Sequence, residues 1–168
     1  LAGDHDIEER MMLRIEVRRA DGSSGVVDHA LNEVVVARTA ASQTVRLGVY
    51  LDGEFLTSYA ADGLIAATPT GSTAYAFSAR GPIVDPVHRA IQLTPVSPHM
   101  LFDRTMVLDP SAEVSMEVLG QREATCSVDG RELVVLGEGD MVVCTVADRV
   151  ARLVTFGPRD FKHLLATK

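Results

Sequence analysis

The stretch Thr68-Pro69-Thr70-Gly71-Ser72-Thr73-Ala74-Tyr75 holds the densest set of groups able to do chemistry. Pro69 fixes the backbone on entry to a turn, and Gly71 permits close approach of another segment or a ligand. Thr70 or Ser72 is placed to cap a helix that follows. Hydroxyls and free N–H groups would then converge near a helix start, which favours a polar or anionic ligand. Tyr75 and Ser78 are three residues apart and share one face of that helix. A capped helix with no ligand is the other reading of the same residues. Rival chemistries lack their signatures. There is no Gly-Lys pair and so no P-loop. Gly137-Glu138-Gly139 reads as a turn, without the third glycine and helix of a dinucleotide fingerprint. No Gly-x-Ser-x-Gly elbow occurs. His5, His29, His88, His99 and His163 contain no i, i+4 pair, and no metal site is expected.

The surrounding 42 residues, Ala61 to Phe102, carry formal charge only at Asp62, Arg80, Asp85 and Arg89. They also hold Pro69, Pro82, Pro86, Pro95 and Pro98, five of the seven prolines. Low charge, many hydroxyls and fixed turns suit a preformed ligand site. A buried crossover between two sheets would share that composition.

The elements that must position this stretch are mostly strands. Met11 to Arg19 alternates around Leu13, Ile15 and Val17, and Leu31 to Arg38 contains the buried-strand run Val34-Val35-Val36. Thr44 to Leu51 and Glu54 to Ala60 flank the hairpin signal Asp52-Gly53. Leu64 to Ala67, Thr105 to Leu108 and Val114 to Leu119 follow. Thr125 to Val128 and Glu132 to Leu136 surround Asp129-Gly130. Met141 to Val146 and Val150 to Phe156 are separated by Ala147-Asp148-Arg149. Two short helices are expected, Thr73 to Ala79 and, after Pro158, Arg159 to Leu165. The pattern predicts a mostly β protein, an antiparallel β-sandwich-like domain with two short helices.

The chain has 168 residues, 46% hydrophobic and 23% charged, too apolar for disorder and enough for one core. Its net charge of −7 argues against nucleic acid or an anionic membrane as a partner. No run of about 18 apolar residues could span a bilayer. The opening Leu1-Ala2-Gly3-Asp4-His5-Asp6 does not read as a signal peptide, and its lack of Met suits a piece of a longer chain. Cys126 and Cys144 lie in apolar runs and read as buried reduced thiols, which suits a cytoplasmic location.

The run Asp62-Gly63-Leu64-Ile65-Ala66-Ala67-Thr68-Pro69-Thr70-Gly71-Ser72-Thr73-Ala74-Tyr75, followed by Ser78-Ala79 and Gly81-Pro82-Ile83-Val84, resembles the signature of bacterial NAD kinases. Glu9-Arg10-Met11-Met12-Leu13 is similar to the strand that opens that family's C-terminal domain. Ala30-Leu31-Asn32-Glu33-Val34-Val35-Val36 resembles its Asn-Glu motif. Thr94-Pro95, Pro98-His99 and Arg104 resemble further landmarks. The resemblance covers nearly the whole chain, and residues 1–168 are read as that one C-terminal domain.

The family phosphorylates the 2′-hydroxyl of the adenosine ribose of NAD, giving NADP. The resemblance implies ATP or polyphosphate as donor, with Mg²⁺, and a cytoplasmic homo-oligomer, dimer or tetramer. It assigns Asn32 and Glu33 to the adenine and ribose side of NAD. An amide can face a base edge, and a carboxylate can accept from sugar hydroxyls. It assigns Thr73, Ala74, Tyr75 and Ser78 to the NAD pocket, and Asp62 to an acidic position near it that in family oligomers is often presented to a neighbouring subunit's ligand. Three positions depart from the family pattern: Arg80 for glycine, Arg131 for glutamine and Ala60 for arginine. The family's Gly-Gly-Asp-Gly loop, whose Asp is the candidate base, is absent, because the chain has no Gly-Gly pair. The resemblance therefore implies no catalytic residue in this chain and no useful turnover by it alone. Two other readings stay open: a non-catalytic nucleotide-binding or assembly module, and a lipid kinase of the same superfamily.

Overall fold

The structure is a computed structural model that describes residues 5–40, 42–156 and 161. Its strands are β1 (Asp6–Arg18), β2 (Val27–Ala30), β3 (Glu33–Arg38), β4 (Val45–Leu51), β5 (Glu54–Ala61), β6 (Gly63–Ala67), β7 (Ile91–Val96), β8 (Met106–Leu108), β9 (Val114–Val118), β10 (Ala124–Val128), β11 (Arg131–Leu136) and β12 (Met141–Thr155). A 3-10 turn (Thr70–Thr73) and a short helix α1 (Tyr75–Ser78) follow β6. The strands form two six-stranded sheets, ordered β2-β1-β12-β9-β4-β5 and β11-β10-β3-β6-β7-β8. All their pairings are antiparallel, as expected for the sandwich.

Alternation puts Leu13, Ile15 and Val17 of the first sheet in the same buried cluster as Val34, Val36, Leu64 and Leu93 of the second. Strand β6 is buried at every position. Leu64 and Ala66 enter the main core, while Ile65 and Ala67 pack with Ala76 in a smaller cluster on the sheet's other face. That second covering explains why Leu64-Ile65-Ala66-Ala67 is continuously apolar. Both thiols are free and buried in the main core, and burial pushes the Cys126 thiol up to about 12.

Four features differ from the sequence expectations. Strands β2 and β7 were not foreseen. Strand β2 has only four residues, two of them Asp28 and His29, and β7 contains Gln92 and Pro95, which disguise a strand. Proline is tolerated there because β8 pairs only with Ile91–Leu93, leaving Pro95 without a neighbour on that side. The expected break at Ala147-Asp148-Arg149 is instead a register irregularity inside one long strand, β12, opposite Met11 and Leu13 of β1. The helix expected over Thr73–Ala79 is the 3-10 turn plus one turn of α1. The second expected helix, Arg159 to Leu165, lies outside the described residues apart from Phe161.

Candidate functional site

The register brings the start of β3 beside the end of β6, with Glu33 opposite Ala67. Two loops meet there. The Thr68 N–H donates to the Asn32 carbonyl at 2.8 Å. The Thr68 hydroxyl donates to the Leu31 carbonyl at 2.6 Å and accepts the Gly71 N–H at 3.0 Å. Gly71 is compulsory at this crossing: a Cβ would lie 2.1 Å from the Asn32 carbonyl oxygen. The cap expected from Thr70 or Ser72 does not form, since neither short helix has a side-chain cap. The Thr68 hydroxyl steadies the start of the turn from outside it through the Gly71 N–H, and the Ser72 hydroxyl exchanges two hydrogen bonds with the Val84 backbone, at 3.0 and 3.1 Å. It ties the turn to the proline-rich segment beyond it.

A third loop completes the support. Asp129 and Gly130 join β10 to β11, both with positive φ (46° and 79°), as a two-residue hairpin requires. The Asp129 carboxylate accepts N–H groups from Leu31 (2.7 Å), Asn32 (2.8 Å) and Glu33 (3.0 Å). The Asp129 N–H donates back to the Glu33 carbonyl at 3.0 Å. With its backbone held on both sides, Asn32 is free to aim its side chain outward. Among the described residues its carboxamide has no hydrogen-bond partner.

Glu33 is only 7% exposed. Its carboxylate accepts the Tyr75 backbone N–H, while Oε2 is buried without a partner among the described residues. Burial pushes this carboxyl above the usual carboxylate range; the Tyr75 N–H opposes the shift and the negative charge of Asp129 adds to it. An acid with a raised folded-state pKa holds its proton more tightly folded than unfolded. Its contribution to stability therefore declines as pH rises from the ordinary value of 4.5 through the raised one. Glu33→Gln removes that decline and keeps an acceptor for Tyr75. The variant should be more stable at pH 7 by on the order of 1 kcal/mol, with the advantage lost below about pH 4. Thermal melts at both pH values check this; an equal difference at the two would refute it.

Beyond Tyr75 lies a cavity of about 360 Å³. Tyr75, Ser78, Ala79 and Arg80 form one wall, Pro95 to Pro98 another, with Asp103 and Arg104 at the mouth. Tyr75 and Ser78 thus share a face, as their spacing predicts. Thr73 and Ala74 are half-buried in the connection beside them. Asn32, Glu33, Thr73, Ala74, Tyr75 and Ser78 accordingly gather around one end of β6. Asp62 does not join them. It precedes the opposite end of that strand, about 16 Å away at 3.3 Å per residue. Its carboxylate pairs with Arg38 at 2.9 Å. Its N–H donates to Val96, which lines the cavity, so Asp62 supports the far wall. Among the described residues no three His, Cys, Asp or Glu side chains gather as a metal site.

Residues 31–156 match the family model of the ATP-NAD kinase C-terminal domain. The chain belongs to this family. It is 41% identical over 169 residues to an NAD kinase of Moorella thermoacetica, covering 100% of this chain and 54% of that protein. It is 39% identical to an NAD kinase of Geobacter metallireducens, covering 100% of this chain and 59% of that one. Among solved structures, yeast NADH kinase complexed with NADH superposes with a TM-score of 0.90 at 32% identity, over 95% of this chain and 47% of that one. An NAD kinase from Archaeoglobus fulgidus in complex with ATP shares the fold, with a TM-score of 0.76 at 24% identity over 96% of this chain and 59% of that one. The chain spans little more than half the length of the relatives it matches.

The departures from the family pattern can now be placed in this NAD kinase domain. Arg131 pairs with Asp28 of β2, which ties the edge of one sheet to the hairpin of the other. Ala60 stands opposite Arg46 on β4, and its carbonyl accepts the His99 N–H. Arg80 follows α1 with φ of 67°, a conformation that costs an L-residue about 1–2 kcal/mol. The supporting roles of two residues were missed by sequence reasoning: Asp129 and Thr68. Asp129 reads as a turn former, and nothing in its neighbourhood shows that it holds Leu31, Asn32 and Glu33 from 96 to 98 residues away. Gly71 was legible as a close-approach position, although not its partner.

Proposed function

We propose that this chain is the NAD-binding part of an NAD kinase, which phosphorylates the 2′-hydroxyl of the adenosine ribose of NAD to give NADP. One observation carries the reading. The loop holding Asn32 and Glu33 is fixed by Asp129 and Thr68, which places a carboxamide with no partner among the described residues, and the buried Glu33 carboxylate that accepts the Tyr75 N–H, next to the segment that walls the Tyr75–Ser78 cavity. A carboxamide suits a base edge, and an acceptor-only carboxylate suits sugar hydroxyls. Whole-chain similarity to NAD kinases, and to a kinase crystallised with NADH, supports the same ligand class.

In this reading the chain binds and orients. Glu33 holds the ribose hydroxyls by accepting from them, Asn32 faces the adenine, and Tyr75 and Ser78 pack against the rest of the dinucleotide. Asp62 keeps the cavity wall in place through Val96 and Arg38. The base and the phosphate cradle belong to a Gly-Gly-Asp-Gly loop on another domain. Mg²⁺ carried by the donor, ATP or polyphosphate, would neutralise charge on the transferring group. We place the enzyme in the cytoplasm, in keeping with its two free buried thiols, and as a homo-oligomer, dimer or tetramer, because β5 presents Phe55 and Leu56 on an exposed edge.

Calorimetric titration with NAD tests the site. Asn32→Ala should weaken binding by about 1–3 kcal/mol and leave the fold intact, because its side chain holds nothing in the protein. Tyr75→Ala should weaken it through lost packing. Unchanged affinity in both variants would refute the assignment. A coupled assay should show no useful NADP production by this chain alone. Turnover should appear once a Gly-Gly-Asp-Gly domain precedes it.

A further inference from the structure

We propose that the guanidinium of Arg80 binds a phosphate group of the dinucleotide held against Tyr75 and Ser78, an inference that rests on the functional reading above. Among the described residues, four non-glycine positions have positive φ: Asp52, Arg80, Ser97 and Asp129. The two aspartates occupy two-residue hairpin turns, where that conformation is required. The other two, Arg80 and Ser97, line the same cavity. Unfavourable backbone conformations that converge on one cavity are a mark of a working site.

The local geometry explains how an arginine comes to stand there. The Gly81 N–H donates to the Ala76 carbonyl at 2.8 Å, and the Arg80 N–H to the Phe77 carbonyl at 2.9 Å. This pair of bonds is the Schellman ending of a helix, and Arg80 takes the position that glycine ordinarily fills. The next residue pins the path, since a Cβ on Gly81 would lie 2.8 Å from the Ala76 carbonyl oxygen and 3.2 Å from Thr94 Oγ1. Glycine at position 80 would fit this backbone without cost. What arginine adds is a charge at the cavity wall.

That charge is unclaimed. Among the described residues no carboxylate pairs with Arg80. The neighbouring Asp103 carboxylate sits 3.4 Å from Nε of Arg104 and offsets that residue instead. The cavity therefore presents one surplus cation, with the hydroxyls of Ser78 and Ser97 on its walls. Guanidinium and hydroxyl donors suit phosphate oxygens. Phosphates are also the anionic groups of a pyridine dinucleotide: the diphosphate in NAD, and the diphosphate plus the 2′-phosphate in NADP.

The test titrates the full chain with NAD and with NADP by calorimetry, at low and moderate salt, beside Arg80→Gly, Arg80→Lys and Tyr75→Ala. Arg80→Gly should raise the melting temperature and weaken at least one dinucleotide about 10-fold, most strongly at low salt. Arg80→Lys should retain part of the affinity. Equal losses for both ligands assign the diphosphate, and a loss confined to NADP assigns the 2′-phosphate. If Arg80→Gly leaves both affinities unchanged while Tyr75→Ala weakens them, the phosphate contact is wrong and the site reading stands. If Tyr75→Ala also has no effect, or the parent chain binds neither dinucleotide, the site reading fails and this inference falls with it.

Discussion

Asp129→Ala should lower stability by about 2–3 kcal/mol and NAD affinity at least 10-fold. Three N–H groups share this one carboxylate, and each bond has a charged acceptor. Part of the lost bonding is recovered from water because this loop is partly exposed, which keeps the expected cost below the sum of three buried bonds. Alanine also fits the positive φ of position 129 less well than aspartate does. The binding loss follows from geometry: Asn32 and Glu33 would keep their chemistry but lose the fixed backbone that aims it. Asp129→Asn keeps a carbonyl acceptor and should fall between parent and alanine. Urea denaturation and calorimetry on the three proteins decide the matter. A midpoint unmoved by Asp129→Ala would show that the carboxylate does not hold the loop.

Gly71→Ala should cost about 3 kcal/mol and also impair binding. The added methyl would stand 2.1 Å from the Asn32 oxygen, 2.5 Å from its carbonyl carbon and 2.8 Å from its Cα. These are backbone atoms, so no rotamer change can relieve the contact. Either the 3-10 turn or the Asn32 loop must move, and both support the site. The two changes act on one loop from opposite sides. Once Asp129→Ala has released it, the loop can retreat from the methyl at position 71. The double variant should therefore cost less than the sum of the singles. Strict additivity in denaturant midpoints would show that the two contacts are independent.

Much of the fold was legible because the signals were local. Alternation around Leu13, Ile15 and Val17 identifies β1 and its buried face. Asp52-Gly53 and Asp129-Gly130 mark two hairpins whose positive φ values appear as expected. Strands β2 and β7 escaped because Asp28, His29, Gln92 and Pro95 interrupt the apolar pattern while register and neighbours sustain the strand. The break read at Ala147-Asp148-Arg149 failed for a related reason. A strand held along its length by β1 absorbs a polar triplet as an irregularity instead of ending there.

The candidate site divides in the same way. Tyr75 and Ser78 sit three apart on a short helix, so their common face follows from helical geometry alone. The residues beneath them do not follow from spacing. Thr68, Gly71 and Asp129 acquire their roles through hydrogen bonds and close contacts between loops remote in the chain.

Taken alone, the order of residues determined the β-rich class, two of the hairpins, the polar turn after β6 and membership of a kinase family whose motifs it carries. The first three depend on dihedral preferences and short-range periodicity, which each segment expresses without its neighbours, whereas family membership rests on the likeness of whole motifs. Tertiary structure alone decided that Asp62 stands apart at the far end of β6, that Asp129 is the anchor of the Asn32–Glu33 loop, and that Arg80, with no carboxylate paired to it among the described residues, lines the cavity. Such outcomes depend on which segments pack together, and packing brings into contact groups whose separation along the chain encodes nothing about their distance in space.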